Sequence, residues 1–233
     1  MVRAKGEYVE KFAESKNRCS KCMLKKVICV CQRLDALRAT EAVDVVVLMN
    51  HKERFRASNT AKVIEKVCGA RIFVDGNDDD WADFEKLVQE RMGEAFVLYP
   101  SNVAVSWDSL PVAANVRPLI IVLDGTWGQA RRLDHKINEF IPRVQCSPTT
   151  LSRFLCRRQT QADRVCTAEA LALLMSDMGM DQVGSKLEEG LQIVVEGFNM
   201  QCFNSTHRPE SFLKKGPKVT ANLPRHPDSL IRK

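Results

Sequence analysis

No apolar run in this chain approaches the roughly 20 residues that a helix needs to cross a bilayer, so a helical membrane protein is not expected. The first residues, MVRAKGEYVEKF, are charged and have no apolar core, which leaves nothing for a secretory leader to be built from. An intracellular, reducing location follows as an expectation, and the basic clusters do not separate cytoplasm from nucleus. The nine cysteines are then free thiols or metal ligands rather than a disulfide framework. Neither G-x-G-x-x-G nor G-x4-G-K-[ST] occurs, which argues against dinucleotide-dependent hydride transfer and P-loop nucleotide hydrolysis. No internal repeat recurs along the chain.

What is present begins with cysteine. Cys19, Cys22, Cys29 and Cys31 fall within thirteen residues with the spacing C-x2-C-x6-C-x-C. Four thiolates so close together suit one tetrahedral zinc ion, and a site made wholly of thiolates is closed and therefore structural. Metal binding lets such a short segment fold without a large core of its own. A C-x-x-C redox pair, an iron–sulfur cluster and buried free thiols are the competing readings. Cys68, Cys146, Cys156, Cys166 and Cys202 lack this grouping and are expected to be small buried apolar groups.

Formal net charge is +6, and its distribution says more than its total. Residues 1–40 carry ten Lys/Arg against four Asp/Glu, and residues 205–233 carry seven against two, whereas 75–94 carries eight acids and two bases. Arg18, Lys21, Lys25, Lys26 and Arg33 flank the cysteines. A metal knuckle with a basic surface points to a polyanion, with nucleic acid as the first candidate.

At 233 residues the chain can bury one core, or one core and a small appended module. The expected organisation is a helix and four-cysteine module over 1–40, a main domain over 41–204, and a basic arm over 205–233. Apolar, β-branched runs at 43–50, 70–75, 94–100 and 118–124 predict strands, and RVQC at 143–146 a further one. Helical patterns cover 7–16, the stretch from Ser58 or Asn59 to Gly69, 81–92, 125–142, 167–179 and 186–203. Gly190 and Gly197 stand as soft points in the last of these. Apolar strands alternating with helices predict an α/β fold, a mostly parallel sheet covered by helices. Such sheets place their sites beyond the carboxyl ends of the strands, here near Asn50, Pro100 and Asp124.

Polar residues gather at those ends. His51, Glu53, Arg56, Ser58, Asn59 and Thr60 follow the first strand and can hold a charged substrate, or cap a helix with local ion pairs. Asp124 closes the apolar strand LIIVL, and Gly125, Thr126 and Trp127 follow it. It can serve a ligand or cap the next helix. Trp127 can stack on a ring or cover the core, and Arg131 lies one helical turn further on. Residues 142–166 carry Arg143, Arg153, Arg157, Arg158 and Arg164 against one acid, a composition suited to phosphate or carboxylate. Glu169 stands where a helix-capping acid belongs.

Taken together, C-x2-C-x6-C-x-C, HKERFRASNT at 51–60, LDGTW at 123–127, the arginine-rich stretch and CTAEA at 166–170 resemble the DTW-domain family over residues 18–200 or so. Its D-x-T-W motif would be Asp124, Gly125, Thr126 and Trp127. Its H-x-E run would be His51 and Glu53, and its S/T-E-A element would be Thr167 to Ala170, with Ala168 standing between Thr167 and Glu169. The resemblance implies a tRNA-uridine aminocarboxypropyltransferase, which moves the 3-amino-3-carboxypropyl group of S-adenosylmethionine to N3 of a uridine and releases 5′-methylthioadenosine. It also implies a fold related to the SPOUT methyltransferases, including their trefoil knot. Asp124, Trp127, His51 and Glu53 become the expected catalytic set. Pro100, Leu123, Gly125, Thr126, Arg131, Arg153, Arg157 and Glu169 become the expected surroundings of S-adenosylmethionine. tRNA becomes the expected partner, and no membrane is implied. A non-catalytic zinc-containing RNA binder and an S-adenosylmethionine-dependent RNA methyltransferase are the alternatives.

Overall fold

The computed structural model describes residues 2–39, 43–113, 116–146, 154 and 165–203. Among these are five strands, all parallel: β1 (Asp44–Asn50), β2 (Arg71–Asp75), β3 (Ala95–Leu98), β4 (Leu119–Asp124) and β5 (Arg143–Val144). They lie in the order β2-β1-β4-β3-β5. The helices are α1 (Val2–Ser15), α2 (Cys31–Asp35), α3 (Ala61–Cys68), α4 (Asp78–Glu90), α5 (Trp127–Asp134), α6 (Thr167–Asp177) and α7 (Asp181–Phe203).

The central strands are buried on both faces, as near-continuous apolar runs require. Alternate residues divide between two layers. Val45, Val47, Met49, Ile120 and Val122 face α3, α6 and α7, whereas Val46, Leu48, Ile121 and Leu123 face α4 and α5. The chain therefore leaves β1 toward the α3 layer and leaves β4 toward the α5 layer. Those two strands are neighbours, with Met49 paired to Asp124. Adjacent strands whose connections depart to opposite faces open a crevice at their carboxyl ends. Asp124 and the turn after β1 stand at that crevice.

Several expectations change. The helix expected over 81–92 begins at Asp78, so the acids of 78–80 form the first turn of α4, where their charge suits a helix N-terminus. The helix after Gly125 ends at Asp134, well short of 142. The last helix begins at Asp181 and runs unbroken through Gly190 and Gly197. Those glycines are points of close approach: an added Cβ would stand 2.8 Å from Val63 Cγ1 at Gly190 and 2.8 Å from Leu24 Cδ1 at Gly197. The missing side chains let α7 lie against α3 and the cysteine segment. Met23, Leu24, Val30 and Leu34 of that segment share one core with α3, α6 and α7. The basic arm over 205–233 lies outside the described residues, and no described helix is long and apolar enough to cross a membrane.

Candidate active site and metal centre

Three separate stretches of sequence converge on Asp124. Its side chain points to the α3 layer and is only 4% exposed. Oδ2 accepts from Asn59 Nδ2, and Oδ1 accepts from Thr167 Oγ1 at 2.9 Å. Asn59 Oδ1 accepts from the amide of Ala61, and Thr60 Oγ1 accepts from the amide of Ala168 at 3.4 Å. Asn59 and Thr60 lead into α3, and Thr167 opens α6. A buried carboxylate thus sits between two helix N-termini, the positive ends of their dipoles. Asp124 does not cap α5. That task falls to Thr126, which shares a reciprocal capping box with Gln129. Gly125 makes the turn possible by its size, because a Cβ there would lie 2.8 Å from Gln129 Cβ.

The two sides of Asp124 differ. Asn59 is buried, whereas Thr167 is half-buried. Among the described residues, the Oδ1 side with the Thr167 hydroxyl is therefore the less buried of the two. Around the crevice, Trp127 and Gly125 are half-buried, and His51, Pro100, Thr126 and Arg131 are exposed. Leu123 is buried against the α5 layer. Glu53 is fully buried, with Arg56 Nε 3.5 Å from its Oε1.

Glu169 is half-buried and accepts two backbone amides, Cys166 N at 2.8 Å and Phe154 N at 3.2 Å. It caps α6 as the sequence suggests, in a capping box whose N-cap residue is Cys166. It also ties down Phe154, itself buried in the core. Arg153, Arg157, Arg158, Arg164 and Cys156 lie outside the described residues. Arg143, counted above among possible phosphate ligands, is buried. It pairs with Asp134 at 2.9 Å and donates to the carbonyls of Asp134, Ile137, Asn138 and Ile141. Its guanidinium organises the turn between α5 and β5. Its arginine-rich sequence context gave no sign of this structural role. Cys202, expected to be buried, is exposed.

The four N-terminal sulfurs lie within 4.8 Å of one another, with Cys19–Cys31 at 3.7 Å and Cys22–Cys29 at 3.8 Å. Tetrahedral zinc with Zn–S bonds near 2.3 Å places its sulfurs about 3.8 Å apart, so the donor set fits this ion. Hydrogen bonding from Cys31 lowers the Cys22 thiol, while the same contact raises Cys31 and burial raises Cys29. Four thiolates held together need a cation. Lys62 is a residue that the sequence gave no means to find. It is buried in the first turn of α3, and its Nζ donates to the carbonyls of Cys22 and Ala57, each at 2.7 Å.

The DTW domain model matches residues 16–199, and the chain belongs to the DTW-domain family. Among curated proteins, it is 24% identical over 172 residues to tRNA-uridine aminocarboxypropyltransferase 2 of Mus musculus, covering 70% of this chain and 57% of the relative. It is 26% identical over 169 residues to the Drosophila melanogaster protein of the same name, covering 67% of this chain and 64% of the relative. The chain thus spans about three fifths of the length of these relatives. No solved structure matches.

Proposed function

We propose that this protein is an enzyme that transfers the 3-amino-3-carboxypropyl group of S-adenosylmethionine to N3 of a uridine in tRNA. The observation that carries the reading is the junction at Asp124. There the D-x-T-W motif, the Asn59–Thr60 pair and Thr167 form one hydrogen-bonded unit at the crevice of a parallel sheet. The names of the curated relatives supply the substrate and the group transferred.

Uridine N3 is a poor nucleophile until its proton leaves, so a nearby carboxylate assists as a general base. In this reading the proton passes toward Asp124 Oδ1 by way of Thr167. The Thr167 hydroxyl donates to Asp124 and keeps lone pairs with which to accept. The N3 electron pair then attacks the methylene on the sulfonium, the carbon–sulfur bond breaks, and sulfur keeps that pair as 5′-methylthioadenosine leaves. The enzyme's task is to align that carbon, rather than the methyl, with N3. Leu123 to Thr126 and Pro100 would border the donor, and Trp127 would offer a ring for stacking. Arg131, Arg153 and Arg157 would meet the donor's carboxylate. Glu169 would act through the backbone that it holds, while His51 and Glu53 would shape the far wall of the crevice. The SPOUT relation and its trefoil knot form part of the same proposal.

The four-cysteine site would hold zinc and supply folding energy, with no part in the bond exchange. Its outer surface carries exposed Lys16, Lys21 and Lys26 beside Val27, which is 83% exposed. That face suits an RNA backbone. The test is to incubate the protein with S-adenosylmethionine and unmodified tRNA, then analyse nucleosides and the small product by mass spectrometry. Aminocarboxypropyluridine with methylthioadenosine is expected. Methyluridine with adenosylhomocysteine would identify a methyltransferase. RNA binding with no donor consumed would leave the non-catalytic RNA binder as the better account.

A further inference from the structure

The Lys62 ammonium is a three-proton donor that reaches three backbone carbonyls. Nζ donates to Ala57 O at 2.7 Å, to Arg56 O at 3.4 Å and to Cys22 O at 2.7 Å. The first two carbonyls belong to the turn between β1 and α3, two and three residues before Asn59. The third belongs to the C-x2-C knuckle. Lys62 is 6% exposed, and an amine buried so deeply is tolerated only while its acceptors stay in place. A second contact ties the same turn to the helix that precedes the knuckle: Phe12 of α1 packs edge-on against Phe55 at 5.0 Å.

The knuckle has reason to move if its metal leaves. Met23, next to Cys22, is held in the left-handed region at φ 60°, a conformation that a side chain as large as methionine adopts only under constraint. The four sulfurs would also lose the bonds that tie them to one centre. We infer that Lys62 is a positioning residue that makes the order of the 56–60 turn depend on the metal. Through Asn59, the seating of Asp124 then depends on the metal as well. The metal site is in this sense part of the crevice's scaffold and not only a docking knuckle for RNA. The inference concerns the turn itself and stands whatever group the protein transfers.

The test is amide hydrogen exchange on the full chain, with zinc bound and after its removal by chelation, in wild type and Lys62→Met. The amides of Asn59 and Ala61 report on the turn. In wild type, zinc removal is expected to speed their exchange about tenfold or more. In Lys62→Met, whose four ligands are intact, they should already exchange fast with zinc bound, and removal should add less than about twofold. Lys62→Arg should restore part of the zinc dependence. An equal zinc effect in wild type and Lys62→Met would overturn the inference, as would no effect in wild type or a wild-type protein that holds no metal at Cys19–Cys31. If Lys62→Met does not fold, Lys62→Gln is compared in the same way. In every case the exchange data are independent of catalysis, so loss of the transfer reading would leave this result intact.

Discussion

Asp124→Asn separates two roles that the carboxylate can play. The substitution keeps shape and removes charge. Oδ2 faces the amide of Asn59 and Oδ1 faces the hydroxyl of Thr167, which can rotate to accept from a new amide. Both bonds survive in some form, but each falls from the charge-assisted range of about 1.5–3 kcal/mol to the neutral range near 1 kcal/mol. The carboxylate's attraction to two helix N-termini, worth up to about 2 kcal/mol in buried geometry, is lost as well. Burying a neutral amide is less costly than burying an ion, which returns part of that sum. A net loss of about 2 kcal/mol is expected, or about 4–8 °C in Tm for a chain of this size. The assay is thermal unfolding of the zinc-loaded protein without donor or RNA, alongside single-turnover transfer. If Tm stays within about 1 °C of wild type while transfer vanishes, the fastening role argued from the structure is wrong and the carboxylate acts only in chemistry. A lower Tm with transfer retained would instead remove Asp124 from the chemistry.

Cys22→Ser removes one of four ligands and should lower bound zinc, measured by elemental analysis, from about one ion per chain to a small fraction, with loss of stability in the N-terminal segment. Gly125→Ala would push a Cβ against Gln129 and strain the Thr126–Gln129 capping box, so a loss of about 1–3 kcal/mol is expected in denaturant unfolding. An unchanged midpoint would show that the turn has room to spare. Charge reversal of Lys21 and Lys26 should weaken tRNA binding and reduce its log–log salt slope by roughly 2, with thermal stability unaltered. An unchanged slope would move the RNA interface elsewhere.

The strands were legible because LIIVL and VDVVVLM leave no polar face for water. The four-cysteine cluster was legible because its members are close in sequence. The junction at Asp124 was only half legible. Sequence placed Asp124 at a strand end and Asn59 and Thr167 at helix starts, but the distances in sequence, 65 and 43 residues, carry no register. Only the strand order, with β1 beside β4, brings them together. Arg143 and Lys62 were misread or missed for a common reason. Composition records that a cation is present, and says nothing of whether backbone carbonyls surround it. Gly190 and Gly197 were misread as weak points because helix propensity counts the missing side chain as a loss. Packing against Val63 and Leu24 makes it a requirement.

Under the proposed transfer, burial of this junction favours the reaction. Before attack, the donor carries a sulfonium cation and the deprotonated uracil carries an anion. Afterwards both are neutral. A step that cancels opposite charges gains from low polarity in its surroundings, where holding them apart costs most. The permanent charge of Asp124 would spoil that balance if it stood bare beside an anionic ring. Here it is offset by the N-termini of α3 and α6 and by donors on both oxygens. If Asp124 takes the proton through Thr167, its own charge is cancelled as the ring's charge appears, so the crevice never holds two uncompensated anions. On that argument Thr167→Val should slow transfer more than it weakens donor binding. It removes the hydroxyl that links substrate to carboxylate and leaves both the apolar packing and the Asn59 contact in place. A change in donor affinity alone, with the single-turnover rate intact, would show that the proton takes another way out.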